Sequence, residues 1–283
     1  MAARAATFGL LVAPVLLAAL PLRAEDLPAA KPIPLEETAS PATEKTVDTA
    51  APGTGTAREP AAKPQPAAAR PALPKGFVHL AAVDPSIVQD MRYAGAKNFT
   101  GARVPGYEGA SCILADPAAK ALARVQAGLK AEGLTLVMLD CYRPARAVRA
   151  MVAAMQKRKG TNATYHPRVP ATRLVVEGYL AARSGHSAGG TVDLTLARLG
   201  PGGKAEPLAM GTAFDFFDPA SHTAAKGIGA QARANRIRLL KAMTAAGFAN
   251  YAREWWHFRF TAEPFKGRHF DFPVTAAPEV PKS

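Results

Sequence analysis

The chain has 283 residues, 48% of them hydrophobic and 20% charged, with 35 Lys and Arg against 22 Asp and Glu for a formal net charge of +13. That length allows one or two domains. Beyond the first two dozen residues no apolar run approaches the ~20 residues of a membrane span, and no basic run is interleaved with aromatics as in nucleic-acid binders.

Residues 1–24 carry Arg4, an apolar run from Phe8 to Leu20 broken by Pro14, and a small-residue cleavage site after Leu22-Arg23-Ala24. They read as a signal peptide, since the run is too short for a stable membrane anchor. Residues 25–74 hold ten prolines and no aromatic residue, so they bury too little apolar surface to offset ordering entropy and are predicted to be a disordered Pro/Ala-rich linker. The leader contributes two positive charges and the linker five bases against seven acids, so the remainder carries the whole excess. A basic exported domain suits attraction to an anionic cell wall or membrane surface; arginines that merely solubilise the surface are the plainer alternative. A single folded domain is expected over 75–275, with 276–283 a short C-terminal tail.

Phe77 to Val83 reads as a short strand. Asn98-Phe-Thr-Gly-Ala-Arg-Val-Pro-Gly-Tyr107 reads as a loop or hairpin enforced by its glycines and Pro105. Tyr93 and Tyr107 are candidate pocket residues, with ordinary core packing as the alternative. Asp116-Pro-Ala-Ala opens a helix with Asp116 as N-cap, and Ala118, Leu122, Val125 and Leu129 recur at helical spacing until Gly133.

Leu134-Thr-Leu-Val-Met-Leu139 is a strand-like run that delivers Asp140-Cys-Tyr-Arg143-Pro144 before a helix bearing Val148, Met151, Val152 and Met155. Arg143 has two readings, as a group that polarises a carbonyl or as a structural partner of Asp140. The two cysteines, Cys112 and Cys141, form an even count in a chain that reads as exported, which implies one disulfide. Closing that loop adds roughly 3.5 kcal/mol in the loop-entropy treatment; two buried thiols are the alternative.

Residues 160–172 read as a loop and Leu174–Ala182 as a short helix. Gly189-Gly190 breaks any helix, and Thr191 to Leu196 alternates, so Asp193 faces away from the side shared by Val192, Leu194 and Leu196. A turn at Gly200-Pro-Gly-Gly203 leads to a loop containing Met210-Gly-Thr-Ala-Phe-Asp215-Phe-Phe-Asp218. A helix follows from about Ala230 to Ala246, and an aromatic-rich final strand is predicted over Tyr251–Phe260. Strands and helices mix without βαβ regularity, which predicts an α+β fold with a small, mainly antiparallel sheet flanked by helices.

Two segments carry the chemistry: Ser184-Gly-His-Ser-Ala-Gly-Gly-Thr-Val-Asp193, and Glu254-Trp-Trp-His257. His186, Asp193 and His257 supply the three nitrogen and carboxylate donors of a hydrolytic zinc site, and Glu254 remains as general base. In a regular strand positions three apart face opposite sides, so a bulge or a turn ending at Glu254 is required. His79, His166 and His269 read as surface or hydrogen-bonded groups, and His222 is the one to watch. Gly185-His-Ser187-Ala-Gly189 matches the G-x-S-x-G nucleophile elbow, but a helical segment precedes it and a strand follows, the reverse of that elbow. The ligand set also suits non-haem iron, which an extra glutamate in an exported chain disfavours.

These motifs, with Asn98-Phe-Thr-Gly, Gly106-Tyr-Glu, Asp140-Cys-Tyr-Arg-Pro, Arg146-Ala-Val148, Met210-Gly, Phe214-Asp-Phe and Phe270-Asp-Phe-Pro-Val in order, make the sequence from about Phe77 to Val274 resemble the VanX-type D-alanyl-D-alanine dipeptidases of the hedgehog/DD-peptidase group. The resemblance implies a zinc held by His186, Asp193 and His257, Glu254 as base and acid, and Arg143 stabilising the oxyanion. It places Tyr93, Asp215 and Ser184 around the termini of a small D,D-dipeptide substrate, supported by Tyr107 and Asp140. The chain departs from that group in its Pro/Ala tail, in Cys141 where a glycine is usual, and in Gly185 where a second serine is usual. The expected activity is hydrolysis of D-Ala-D-Ala or a related D,D-dipeptide. The alternatives are a D,D-carboxypeptidase acting on wall stem peptides and a non-catalytic, metal-containing wall-binding module.

Overall fold

A computed structural model describes residues 72–278 except 201 and 203. The predicted leader, nearly all of the predicted linker and residues 279–283 of the tail lie outside the described residues.

The strands are β1 (Phe77–His79), β2 (Val88–Gln89), β3 (Ile113–Ala115), β4 (Leu134–Asp140), β5 (Thr191–Leu199), β6 (Ala205–Pro207), β7 (Phe248–Asn250) and β8 (His257–Phe260). The helices are α1 (Leu80–Val83), α2 (Asp116–Lys130), α3 (Ala145–Gln156) and α4 (Ala230–Ala245). The main sheet runs β2-β4-β5-β8-β7, with β6 also on β5. Only the β2–β4 pair is parallel, and β1 and β3 form a separate antiparallel pair. This is the α+β arrangement with a mainly antiparallel sheet that the sequence predicts.

All seven residues of β4 are buried, so both its faces are covered and the strand is a continuous apolar run. On β5, Val192, Leu194 and Leu196 share one buried face, while Thr191, Asp193 and Thr195 share the other. α2 packs through Leu122, Val125 and Leu129. Its buried Gln126 donates to Thr135 Oγ1 at 2.9 Å and accepts from Leu136 N at 2.9 Å, so its amide is paired where an unpaired one would be costly. Asp140 at the end of β4 pairs with Asp193 of β5, which in turn pairs with His257 of β8. Three functional side chains therefore lie side by side across the sheet.

Four local expectations need correction. The strand at Phe77 ends at His79, where the chain coils into α1. Asp116 is the first residue inside α2, after Ala115; its carboxylate pairs with Lys120 at 2.7 Å and makes no cap bond. No α-helix forms over 174–182: the carbonyl of Leu174 accepts from both Tyr179 N and Leu180 N, closing a compact turn through Gly178 at φ +78°. The last strand begins only at His257, because 251–256 form turns.

Candidate active site

His186 sits in the short 3-10 turn Gly185–Ala188, which Ser184 caps by accepting from His186 N at 3.3 Å. The turn ends at Gly189, where φ is +76° and a Cβ would lie 2.3 Å from the Phe77 ring, so only glycine fits. Asp193 follows on β5 and His257 opens β8. Between Tyr251 and His257 two successive turns, with Glu254 N on Tyr251 O at 2.9 Å and His257 N on Glu254 O at 3.2 Å, swing Glu254 to the same side as His257. This is the turn that the three-residue spacing requires.

The donor atoms converge. His186 Nε2 lies 3.4 Å from Asp193 Oδ2 and 3.4 Å from His257 Nδ1, and Asp193 Oδ1 lies 3.0 Å from His257 Nδ1. A tetrahedral ion with bonds of ~2.0–2.1 Å holds its ligand atoms about 3.4 Å apart, so these three fit a small divalent metal. His186 Nδ1 lies 2.7 Å from the carbonyl of Cys141, which can only accept, so Nδ1 carries a proton and Nε2 points to the other donors. Among the described residues this is the one group of three such ligands. Glu254 Oε2 stands 3.6 Å from His257 Nδ1.

Arg143 is held by its partners at a defined angle. Its Nε donates to Asp140 Oδ2 at 2.9 Å and its Nη2 to Asp193 Oδ2 at 3.3 Å, and its guanidinium lies 5.0 Å from the centre of the Tyr93 ring. Tyr107 donates its hydroxyl to the other Asp140 oxygen at 2.6 Å. Tyr107 and Asp140 thus stand behind Arg143 and do not line the cavity. Tyr93 donates to Asp215, 3.0 Å from each oxygen. Asp215 has φ +59°, the only non-glycine residue in the left-handed region among those described, a conformation stabilised by its surroundings and common at functional sites.

Burial and opposed charges set the electrostatics. Burial works against the Asp193 charge, but His186 and His257 outweigh it and hold its carboxyl far below the usual range. Glu254 is pushed well up, first by burial and then by Asp193 and Asp215, with Arg143 opposing. A raised carboxylate is the better proton acceptor near neutral pH. Asp215 is raised by burial and by Asp193. Burial lowers His257 against the opposing pull of Asp193, which favours the neutral ring that a ligand must offer.

A cavity of about 490 Å³ opens over these groups. Tyr93, Arg143, Ser184, Gly185, His186, Asp193, Asp215, Glu254 and His257 line it, and the 175–182 turn, Phe217, Tyr251 and Trp256 form the remaining wall. That wall was not legible as part of the site, and only Trp256, inside the Glu-Trp-Trp-His motif, carried a signal. Arg236 of α4 was also missed. It is buried and donates to the carbonyls of Met210, His222 and Ala220 at 2.7, 2.7 and 3.1 Å, pinning the loop that carries Asp215. His222 does not line the cavity.

A family model described as D-ala-D-ala dipeptidase, Peptidase_M15, matches residues 74–275. The D-alanyl-D-alanine dipeptidase of Enterococcus faecium is 38% identical over 201 residues, covering 70% of this chain and 98% of that protein. That of Streptomyces coelicolor is 41% identical over 187 residues, 65% of this chain and 91% of its own length. The Escherichia coli protein of the same name is 33% identical over 182 residues, covering 64% and 83%.

Proposed function

The chain belongs to the Peptidase_M15 family and is a metallopeptidase, and from that premise we propose that it is a zinc-dependent dipeptidase that hydrolyses D-alanyl-D-alanine or a closely related D,D-dipeptide. The observation that carries this reading is the meeting of His186 Nε2, Asp193 and His257 Nδ1 beside Glu254 in one cavity. The donor set of two imidazole nitrogens and one carboxylate, near tetrahedral spacing, supports zinc.

Zinc bound by those residues supplies Lewis-acid polarisation of the peptide carbonyl and makes water more acidic, near pKa 7. Glu254 takes one proton at Oε2 while the water oxygen bonds to the carbonyl carbon. It then delivers that proton to the amine nitrogen as the C–N bond breaks, so one water is added across one peptide bond. Arg143, fixed by Asp140, donates to the carbonyl oxygen as negative charge builds on it. Asp215 pairs with the substrate ammonium, and Ser184 hydrogen-bonds its carboxylate. A wall-binding module has no need of a buried base or of an arginine aimed at the metal donors, and this disfavours the non-catalytic alternative.

Export to an oxidising compartment is part of the proposal. It is supported by the leader-like composition of residues 1–24 and by the Cys112–Cys141 disulfide, a bond typical of such compartments. The test is alanine release from D-Ala-D-Ala and from a pentapeptide ending in D-Ala-D-Ala, with and without chelator. Chelator-sensitive release from the dipeptide alone is expected. Preferential release from the pentapeptide would make it a carboxypeptidase, and wall binding without release would revive the non-catalytic reading.

A further inference from the structure

Neither cysteine lines the cavity, yet the Cys141 carbonyl is one hydrogen bond from a metal donor, His186. β4 and β5 keep regular register up to Met138; the pairing then shifts, and Asp140 opposite Asp193 is the last pair. From Cys141 onward the sheet no longer dictates the backbone. Three contacts lace this departing segment to the turn that carries His186. The Cys141 carbonyl accepts from His186 Nδ1 at 2.7 Å, Arg143 N donates to His186 O at 3.3 Å, and Ser187 Oγ donates to Arg143 O at 2.8 Å. Cys141 is thus the acceptor that fixes the tautomer and ring angle of one ligand, on a stretch that also sets Arg143.

Cys112, at the other end of the bridge, is anchored independently of the site. Its N–H donates to Gln89 Oε1 at 2.7 Å, its carbonyl accepts from Leu80 N at 2.9 Å, and both cysteines are fully buried. Tyr142 N donates to Ile113 O at 2.9 Å, so the bridge and this bond join the same two segments.

We propose that the Cys112–Cys141 disulfide acts as a positioning element of the metal centre: it holds the Cys141 carbonyl against His186 Nδ1 and thereby raises the affinity of the three-residue site for its ion. This rests on the metal reading of His186, Asp193 and His257, and concerns affinity, not only the stability of the fold. Outright loss of an outer hydrogen-bond partner of a ligating histidine typically weakens metal binding ~10–100-fold; breaking the bridge leaves the Cys141 carbonyl in place but frees it to move, so that range is the upper bound.

The experiment measures the zinc dissociation constant of the folded protein by competition with a chromophoric chelator, for wild type and for Cys112→Ala with Cys141→Ala, well below the unfolding temperature of either. Far-UV circular dichroism of the metal-free forms checks that both are folded. Zinc binding weaker than wild type by more than about twofold, up to the ~10–100-fold of an outright loss of such a partner, is expected in the variant. The His186 Nδ1–H resonance of metal-free protein, expected to exchange slowly in wild type, should shift or vanish in the variant. Zinc affinity within about twofold of wild type, in a folded variant with that resonance unchanged, overturns the proposal and leaves the bridge a stabiliser of the fold. Cys112→Ala with Cys141→Gly is the second variant should the first not fold, judged by the same readouts. Wild type that binds no zinc would instead sink the metal reading itself, so the two failures are distinguishable.

Discussion

Glu254 and His257 are three positions apart, yet Glu254 Oε2 lies 3.6 Å from His257 Nδ1, because the chain turns twice before β8 begins. A glutamate on a regular strand would point away from the histidine three residues on. The turns place a buried carboxylate beside the metal donors without making it one of the three ligands, the position a proton carrier needs. Glu254→Gln keeps the shape and removes the proposed base. Zinc content should stay at the wild-type level while kcat for D-Ala-D-Ala falls by about 10²–10⁴. A variant with near wild-type turnover would remove Glu254 from the mechanism.

Asp215 offers its carboxylate to the cavity from a left-handed backbone that asparagine also tolerates. Asp215→Asn therefore tests charge with little strain added. Hydrogen bonds to charged groups are worth ~1.5–3 kcal/mol, so kcat/KM should drop roughly 10–150-fold. The effect should shrink for a substrate with an acylated amino terminus, and an equal loss for both substrates would contradict ammonium recognition.

Tyr107 acts through two intermediaries, Asp140 and then Arg143. Tyr107→Phe deprives buried Asp140 Oδ1 of its donor and should cost about 1–3 kcal/mol of unfolding free energy. Since Arg143 is proposed to meet the developing oxyanion, kcat and kcat/KM should fall together. A rise in KM at constant kcat would assign Tyr107 to substrate binding instead.

Asp218 accepts Arg168 Nε at 2.6 Å, a second bond from Arg168 Nη2, and Ala220 N at 2.9 Å. The Arg168 bonds, against burial, hold the Asp218 carboxyl below its ordinary value. A depressed folded-state value means that the stabilisation is present above the unfolded value of about 3.9 and is lost as pH falls through the folded one. The melting temperature of Arg168→Gln should therefore lie below wild type by a constant gap above about pH 5, closing as the pH drops below about 4. A gap independent of pH would show that the pair contributes through packing alone.

Much of the site was legible because its residues lie in short motifs whose chemistry is explicit. His186, Asp193, Glu254 and His257 are the residue types that a hydrolytic metal centre would use, β4 follows from its continuous apolar run, and α3 from the helical spacing of Val148, Met151, Val152 and Met155. What was not legible depends on distant partners. The aromatic run at 251–260 imitates a strand, but Thr223 N on Ala252 O and Trp255 N on Ser221 O, bonds to a segment about thirty residues earlier, close it into turns. Arg236 reads as a solvated helix residue until loop carbonyls contributed by Met210, Ala220 and His222 surround it. The cavity wall at 175–182 looked helical because Leu174, Tyr179 and Leu180 are apolar, and Gly178 at positive φ overrides that pattern.

The central claim is that His186, Asp193 and His257 hold one zinc ion on which hydrolysis depends. Its most direct test is elemental analysis of purified wild type and His257→Ala, paired with D-Ala-D-Ala hydrolysis before and after chelation and zinc return. One zinc per wild-type chain, little or none in the variant, and activity that leaves and returns with the metal are predicted. A His257→Ala protein that keeps both its zinc and its activity would contradict the account.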